Sequence, residues 1–274
     1  MRFLSFCTLW GMVFITPSLE ARVQPSAMSK VNNVKQPHSN SSLPKAAVVK
    51  QLNPSLTPPL VIKPLPEIAM GEEKAPIHIT MYFSPTCHHC AEYERKILPQ
   101  IHEEFITTGK VRFIMRLLPF HRLDYTVAKL VWSRGYENVI KLTQLFLSHQ
   151  TDWLDPVLEE EPKKREKFLQ NAFKETVESL NIPIDVLQDK LRIQDNMEDA
   201  FVLLFALRKG FTLKEIENAL QENPDLENGL TAAHVQATES FGKSLDYVPA
   251  FLVNGKAAKD WPKSESLRKL LQNK

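Results

Sequence analysis

Two cysteines spaced C-x-x-C stand at Cys87 and Cys90, directly after an apolar run of one period and directly before a run of another. Ahead of them, Ile77, Ile79, Met81 and Phe83 alternate with His78, Thr80 and Tyr82, the two-residue period of a strand. Ser84, Pro85 and Thr86 close it. From His88 onward, Tyr93, Ile97, Leu98, Ile101 and Phe105 recur at three- and four-residue steps. Glu92, Glu94, Arg95 and Lys96 lie between them, which is the pattern of an amphipathic helix. A strand that turns straight into a helix puts Cys87 at about the helix N-cap.

That position has chemical consequences. The first turn of a helix offers unpaired N–H donors and the positive end of the dipole, and both favour a thiolate over a thiol. His88 and His89 sit between the sulfurs, and a cationic imidazole there would depress a cysteine pKa further. A couple whose reduced, ionised form is stabilised gives its disulfide away readily, so the dipeptide argues for an oxidant.

The chain has 274 residues, 43% of them hydrophobic and 24% charged, enough for one well-buried domain with extras or for two small ones. Its formal charge of +2 is too balanced to argue for nucleic acid. Residues 1–21 carry Arg2, an apolar core from Phe3 to Ile15 and small residues near Pro17, Ser18 and Ala21, the pattern of a secretory signal. An uncleaved anchor is the alternative. Cys7 falls in this segment, so an exported mature chain keeps only Cys87 and Cys90. One cysteine pair in an oxidising compartment fits a redox couple better than a disulfide scaffold. Residues 22–70 are crowded with Pro, Ser, Asn, Gln and Lys and have no sustained period, the signature of a mobile tether, with a short edge strand predicted over Leu60–Lys63.

Beyond the first helix, where Pro99 predicts a kink and Gly109 a stop, Lys110 to Leu118 alternates again as a second strand. Strand, helix and strand with a short connection make a βαβ unit with a parallel pair. From about 120 to 242 the period is helical. Predicted helices cover Thr126–Trp132, Val139–Leu147, Phe168–Leu180, Pro183–Leu191, Asn196–Arg208 and Thr231–Phe241. Asp195 with Glu198 and Thr212 with Glu215 have capping-box spacing, and Ala200–Leu207 is apolar all round, as a buried centre would be. Tyr247 to Lys256 returns to strand, with Asn254-Gly255 as a hairpin turn, a partner strand over about Lys256–Trp261 and a closing helix over Ser264–Leu271. Pro249 at the head of a strand is tolerated at an edge, at a first residue or as a cis bond, and a cis Val248–Pro249 bond is expected.

With these pieces in order the chain resembles the DsbA family of exported thiol-disulfide oxidoreductases. The matching segments are Ala75-Pro-Ile, the strand into Cys87-His-His-Cys90, Ile97-Leu-Pro-Gln, Phe105 to Phe113 and Val248 to Gly255, spanning about Gly71 to Lys274. The resemblance implies an α/β thioredoxin-like fold over 71–274 with an all-helical domain inserted at about 120–242. It also implies Cys87 as the exposed nucleophile, Cys90 as the buried resolving thiol, His89 as the thiolate-stabilising histidine and Pro249, after Val248, as the cis proline beside the disulfide where substrate binds. Reduced exported proteins as substrates, a periplasmic location and a membrane reoxidising partner like DsbB follow from the same likeness. Two positions depart from the pattern. His88 stands where the family has Pro, and Met81 stands where related redox proteins carry a buried acid, six residues before the nucleophile. Proton handling must then differ or use water.

The chemistry requires no metal or nucleotide cofactor, and no Gly-rich phosphate loop is present. Three rivals remain. Cys87, Cys90 and nearby histidines could bind Zn or Cu, although the other histidines show no paired zinc spacing. The same fold could work as a reductase or isomerase, since potential sets the direction of exchange. A purely structural disulfide is the blandest, and the polar helix-start setting argues against it.

Overall fold

The computed structural model describes residues 64–191, 197–242, 245 and 247–272. The signal, most of the tether with its Leu60–Lys63 strand, and Asp195 of one capping box lie outside the described residues. A five-stranded sheet runs in the order β1-β3-β2-β4-β5, with β1 at Ile68–Met70, β2 at Ile77–Phe83, β3 at Val111–Leu117, β4 at Ala250–Val253 and β5 at Lys256–Ala257. β2 and β3 are parallel, as the βαβ pattern predicts, and every other pairing is antiparallel. β2 is central, so both of its faces are covered. Ile77, Ile79 and Met81 join the main core, while Tyr82 packs on the other side with Leu118, Ala237 and Ala250.

β1 lies within the stretch that composition assigns to the tether. Ile68 pairs with Met115, and three residues are too few to show a period. The edge of β3, which neither β2 nor the turn at Gly71 covers, supplies what the local pattern lacks.

The helix that starts after Cys87 breaks upstream of the expected kink. α1 spans His88–Lys96, Ile97 stays in the right-handed helical region but is distorted to φ −115°, and α2 restarts at Leu98–Ile101 with Pro99 in its first turn. A proline cannot donate to the carbonyl four residues back and its ring clashes there, so the disruption falls before the proline itself. The chain then passes through a π-helical turn at His102–Ile106 and stops at Gly109, whose φ of +70° suits glycine.

The insert begins with α3 (Arg122–Ser133) and α4 (Val139–Ser148). α5 (Gln150–Leu158) was not anticipated, because Pro156 inside it breaks the sequence pattern, yet it buries Trp153, Leu154 and Val157. α6 (Pro162–Leu180), α7 (Ile184–Lys190), α8 (Met197–Arg208), α9 (Leu213–Ala219) and α10 (Pro224–Phe241) follow. All residues from Ala200 to Leu207 are buried, and α8 packs against α3, α5 and α6 as the centre of the insert. Thr212 and Glu215 form the predicted capping box. The hairpin turns at Asn254 and Gly255, at φ +48° and +76°, but β5 is only two residues long before the chain leaves for α11 (Ser264–Gln272). No helix among the described residues is long and apolar enough to cross a membrane.

Candidate active site

Cys87 is the N-cap of α1, with extended backbone at φ −82° and ψ 114°. Its Sγ accepts the N–H of Cys90 at 3.2 Å, one of the donors that a helix start leaves without an intrahelical partner. The thiol donates to the Val248 carbonyl at 3.2 Å, and the Val248–Pro249 bond is cis, as its place in the sequence leads one to expect. The loop before β4 therefore faces the first cysteine. Both cysteines are free thiols; Cys87 is half-buried and Cys90 is fully buried one turn along the helix.

The two sulfurs are electrostatically unequal. A hydrogen bond from the Cys90 thiol is the largest influence on Cys87 and holds its pKa below the usual thiol value. The backbone N–H groups of Cys90 and His89 act in the same direction, against burial and the charge of Asp124. Burial pushes Cys90 far upward, and its contact with Cys87 adds to that. One sulfur is thus accessible and inclined to ionise, and the other is enclosed and held protonated.

His88 and His89 are both exposed. The His89 ring turns to Glu92, 3.7 Å away, and sits edge-on to Trp261, so its recognisable influence on the Cys87 sulfur comes through the backbone N–H. His88 opens with Thr86, His121 and Arg122 onto a hollow of about 300 Å³, lined on the far side by Leu154 and Val157 of α5.

Several groups at the site carry no recognisable mark in the sequence. Asp124, fully buried at the start of α3, accepts from the Ser84 hydroxyl at 2.8 Å and the Thr86 N–H at 2.9 Å. Gln150 of α5 donates to the Pro85 carbonyl at 2.6 Å. Tyr93 donates to the Pro262 carbonyl at 2.9 Å and so ties α1 to the segment before α11. Met81 is fully buried on β2, and a buried carboxyl lies on α1. Glu94, one turn beyond Cys90, is pushed up to about 7 by burial, and its Oε2 has no hydrogen-bond partner. An acid in a helical period reads as a solvated position, so only the packing of α1 against α4 reveals it. Among the described residues no group of three or more His, Cys, Asp or Glu side chains converges in a way that could hold a metal ion.

A Rickettsia felis protein provisionally named a protein-disulfide oxidoreductase is 29% identical over 107 residues, 38% of each chain. A Rickettsia prowazekii protein of similar name is 31% identical over 88 residues, 32% of each. The chain therefore matches about a third of the length of these curated relatives. Among solved structures, a protein-disulfide isomerase from Novosphingobium aromaticivorans superposes with a TM-score of 0.54 at 18% identity, covering 76% of this chain and 96% of that one. A variant of Wolbachia pipientis alpha-DsbA1 gives 0.51 at 17%, covering 77% and 92%. At such identities these two likenesses speak for the fold alone. The thioredoxin family profile matches residues 64–273, most of the chain, and the protein belongs to that family, with the helical insert of its DsbA-like members.

Proposed function

We propose that the protein is a thiol:disulfide oxidoreductase that donates the Cys87–Cys90 disulfide to reduced exported proteins. The opposed acidity of its two cysteines carries this reading. A substrate thiolate attacks Cys87 Sγ and breaks the bond to Cys90, which leaves as a thiolate and, being buried, takes up a proton. A second substrate thiolate then attacks the substrate sulfur of the mixed disulfide and expels Cys87, a good leaving group because its thiolate is stabilised. Two electrons pass from the substrate dithiol to the enzyme. A membrane oxidant of the DsbB kind would return the disulfide.

The Val248 carbonyl and Pro249 lie where a substrate backbone could run beside Cys87, which supports their role in substrate binding. His89 contributes to thiolate stabilisation through its backbone. The basic and apolar pattern of Met1 to Ala21 supports export to the periplasm.

The test is trapping. Cys87→Ser should abolish exchange with a reduced model protein, whereas Cys90→Ala should accumulate mixed disulfides, visible on non-reducing gels. Normal substrate release by Cys90→Ala would reverse the two roles. Equilibration with glutathione buffers then gives the direction: about −120 mV, the value for DsbA itself, marks a donor, and about −270 mV, that of thioredoxin, marks a reductant.

A further inference from the structure

The Ser84–Thr86 loop that presents Cys87 is fastened by two fully buried side chains, and both come from the helical insert. Gln150, the first residue of α5, holds the Pro85 carbonyl. Asp124 divides its two oxygens between separate tasks. Oδ2 accepts the backbone N–H groups of Phe120 at 2.9 Å and His121 at 3.0 Å, and so caps its own helix. Capping needs nothing more. Oδ1 crosses instead to the Ser84 hydroxyl and the Thr86 N–H, one residue from the nucleophile. Three backbone donors and a hydroxyl aimed at two oxygens suit an ionised carboxylate, which only accepts hydrogen bonds.

We propose that the insert sets the reactivity of Cys87 through Asp124, a positioning residue that fastens the nucleophile's loop and keeps a negative charge beside it. The proposal rests on Cys87 being the attacking thiol. The charge disfavours ionisation of both cysteines, opposing the helix start and the Cys90 thiol, which favour it at Cys87. Among the described residues, the titratable groups around Cys87 are Cys90, His88 and His89 on α1, and His121 and Asp124 at the start of α3. Arg122 and Glu198 face the adjoining hollow. Of these side chains, Cys90 acts most strongly on Cys87 and lowers its pKa, and Asp124 adds the smaller, opposing push. The C-x-x-C supplies an acidic thiol, and the insert tempers it. A change at Asp124 would therefore retune the strength of the oxidant without touching the C-x-x-C or the dipeptide within it.

The experiment is the pH profile of iodoacetamide alkylation of the reduced full-length protein with Cys7→Ser in every variant, which reports Cys87 because Cys90 is enclosed. Asp124→Asn should move the midpoint to lower pH. Below the parent midpoint it should raise the rate several-fold, since the thiolate fraction grows faster than intrinsic nucleophilicity falls. Ser84→Ala keeps the charge but removes one of its donors, and should move the midpoint up. Gln150→Leu loosens the same loop and leaves the charge, so its midpoint should not fall. A folded Asp124→Asn protein whose midpoint stays or rises overturns the proposal, and so does a Gln150→Leu midpoint that falls as far. If Asp124→Asn does not fold, Ser84→Ala decides, and a midpoint that falls or stays sinks the idea. Alkylation needs no protein substrate. A chain that titrates as expected yet oxidises no substrate would refute the functional reading and leave this one standing.

Discussion

The Cys87 thiol is held below its usual value by the Cys90 thiol and by the backbone N–H groups of Cys90 and His89, and the His89 ring itself points elsewhere. The His89 ring is 73% exposed and turned to Glu92. His89→Leu should therefore leave the pH profile of Cys87 alkylation nearly unchanged, and a clear upward move would restore the imidazole to the role that the family likeness implies. Glu94 carries the opposite kind of perturbation. Its carboxyl is raised to about 7 from an ordinary value of 4.5, so between those values the folded state binds the extra proton and stability falls as pH rises. The full cost above the folded value is on the order of 3 kcal/mol. Glu94→Gln should recover up to about that amount at roughly pH 8 and very little at about pH 4. Urea unfolding at the two pH values checks it, and an equal gain at both would show that burial does not set the carboxyl.

The elements divide by how local their causes are. α8 was legible because eight consecutive apolar residues cannot be solvated, and the insert closes around them. Leu204→Ala, at a fully buried position, should cost roughly 2–5 kcal/mol and lower the urea midpoint without changing the slope. A loss below about 0.5 kcal/mol, the range of an ordinary surface substitution, would mean that α8 is not the centre of the insert. The Thr212–Glu215 box and the Asn254-Gly255 turn were equally legible, since each is satisfied within four residues. β1 and α5 were not. The first exists because β3 offers an edge, and the second because Trp153, Leu154 and Val157 find a core despite Pro156. Neither cause is present in the segment itself.

At the scale of the molecule, redox state and folding are linked through the same thiolate. The lowered pKa of Cys87 stabilises the dithiol form fully above the unfolded value of about 9.0, and this is lost as pH falls through the folded value. The raised Cys90 acts in the opposite sense only where its unfolded thiol ionises, near and above that same value. The stability of the dithiol protein relative to the disulfide protein should thus grow from acid pH toward about pH 8, as read from paired denaturant melts. A flat difference would show that the thiolate contributes nothing to the fold. The cysteine pair, its strand and helix, the parallel unit and the hairpin at Asn254 could all be inferred from the order of residues, because each rests on periods and turn chemistry acting over a few positions. Asp124, Gln150 and the buried Glu94 could not. Their partners are one and the same loop, 40 residues earlier for Asp124 and 65 residues earlier for Gln150, and a neighbouring helix for Glu94, and only packing brings a polar side chain to a group so distant along the chain.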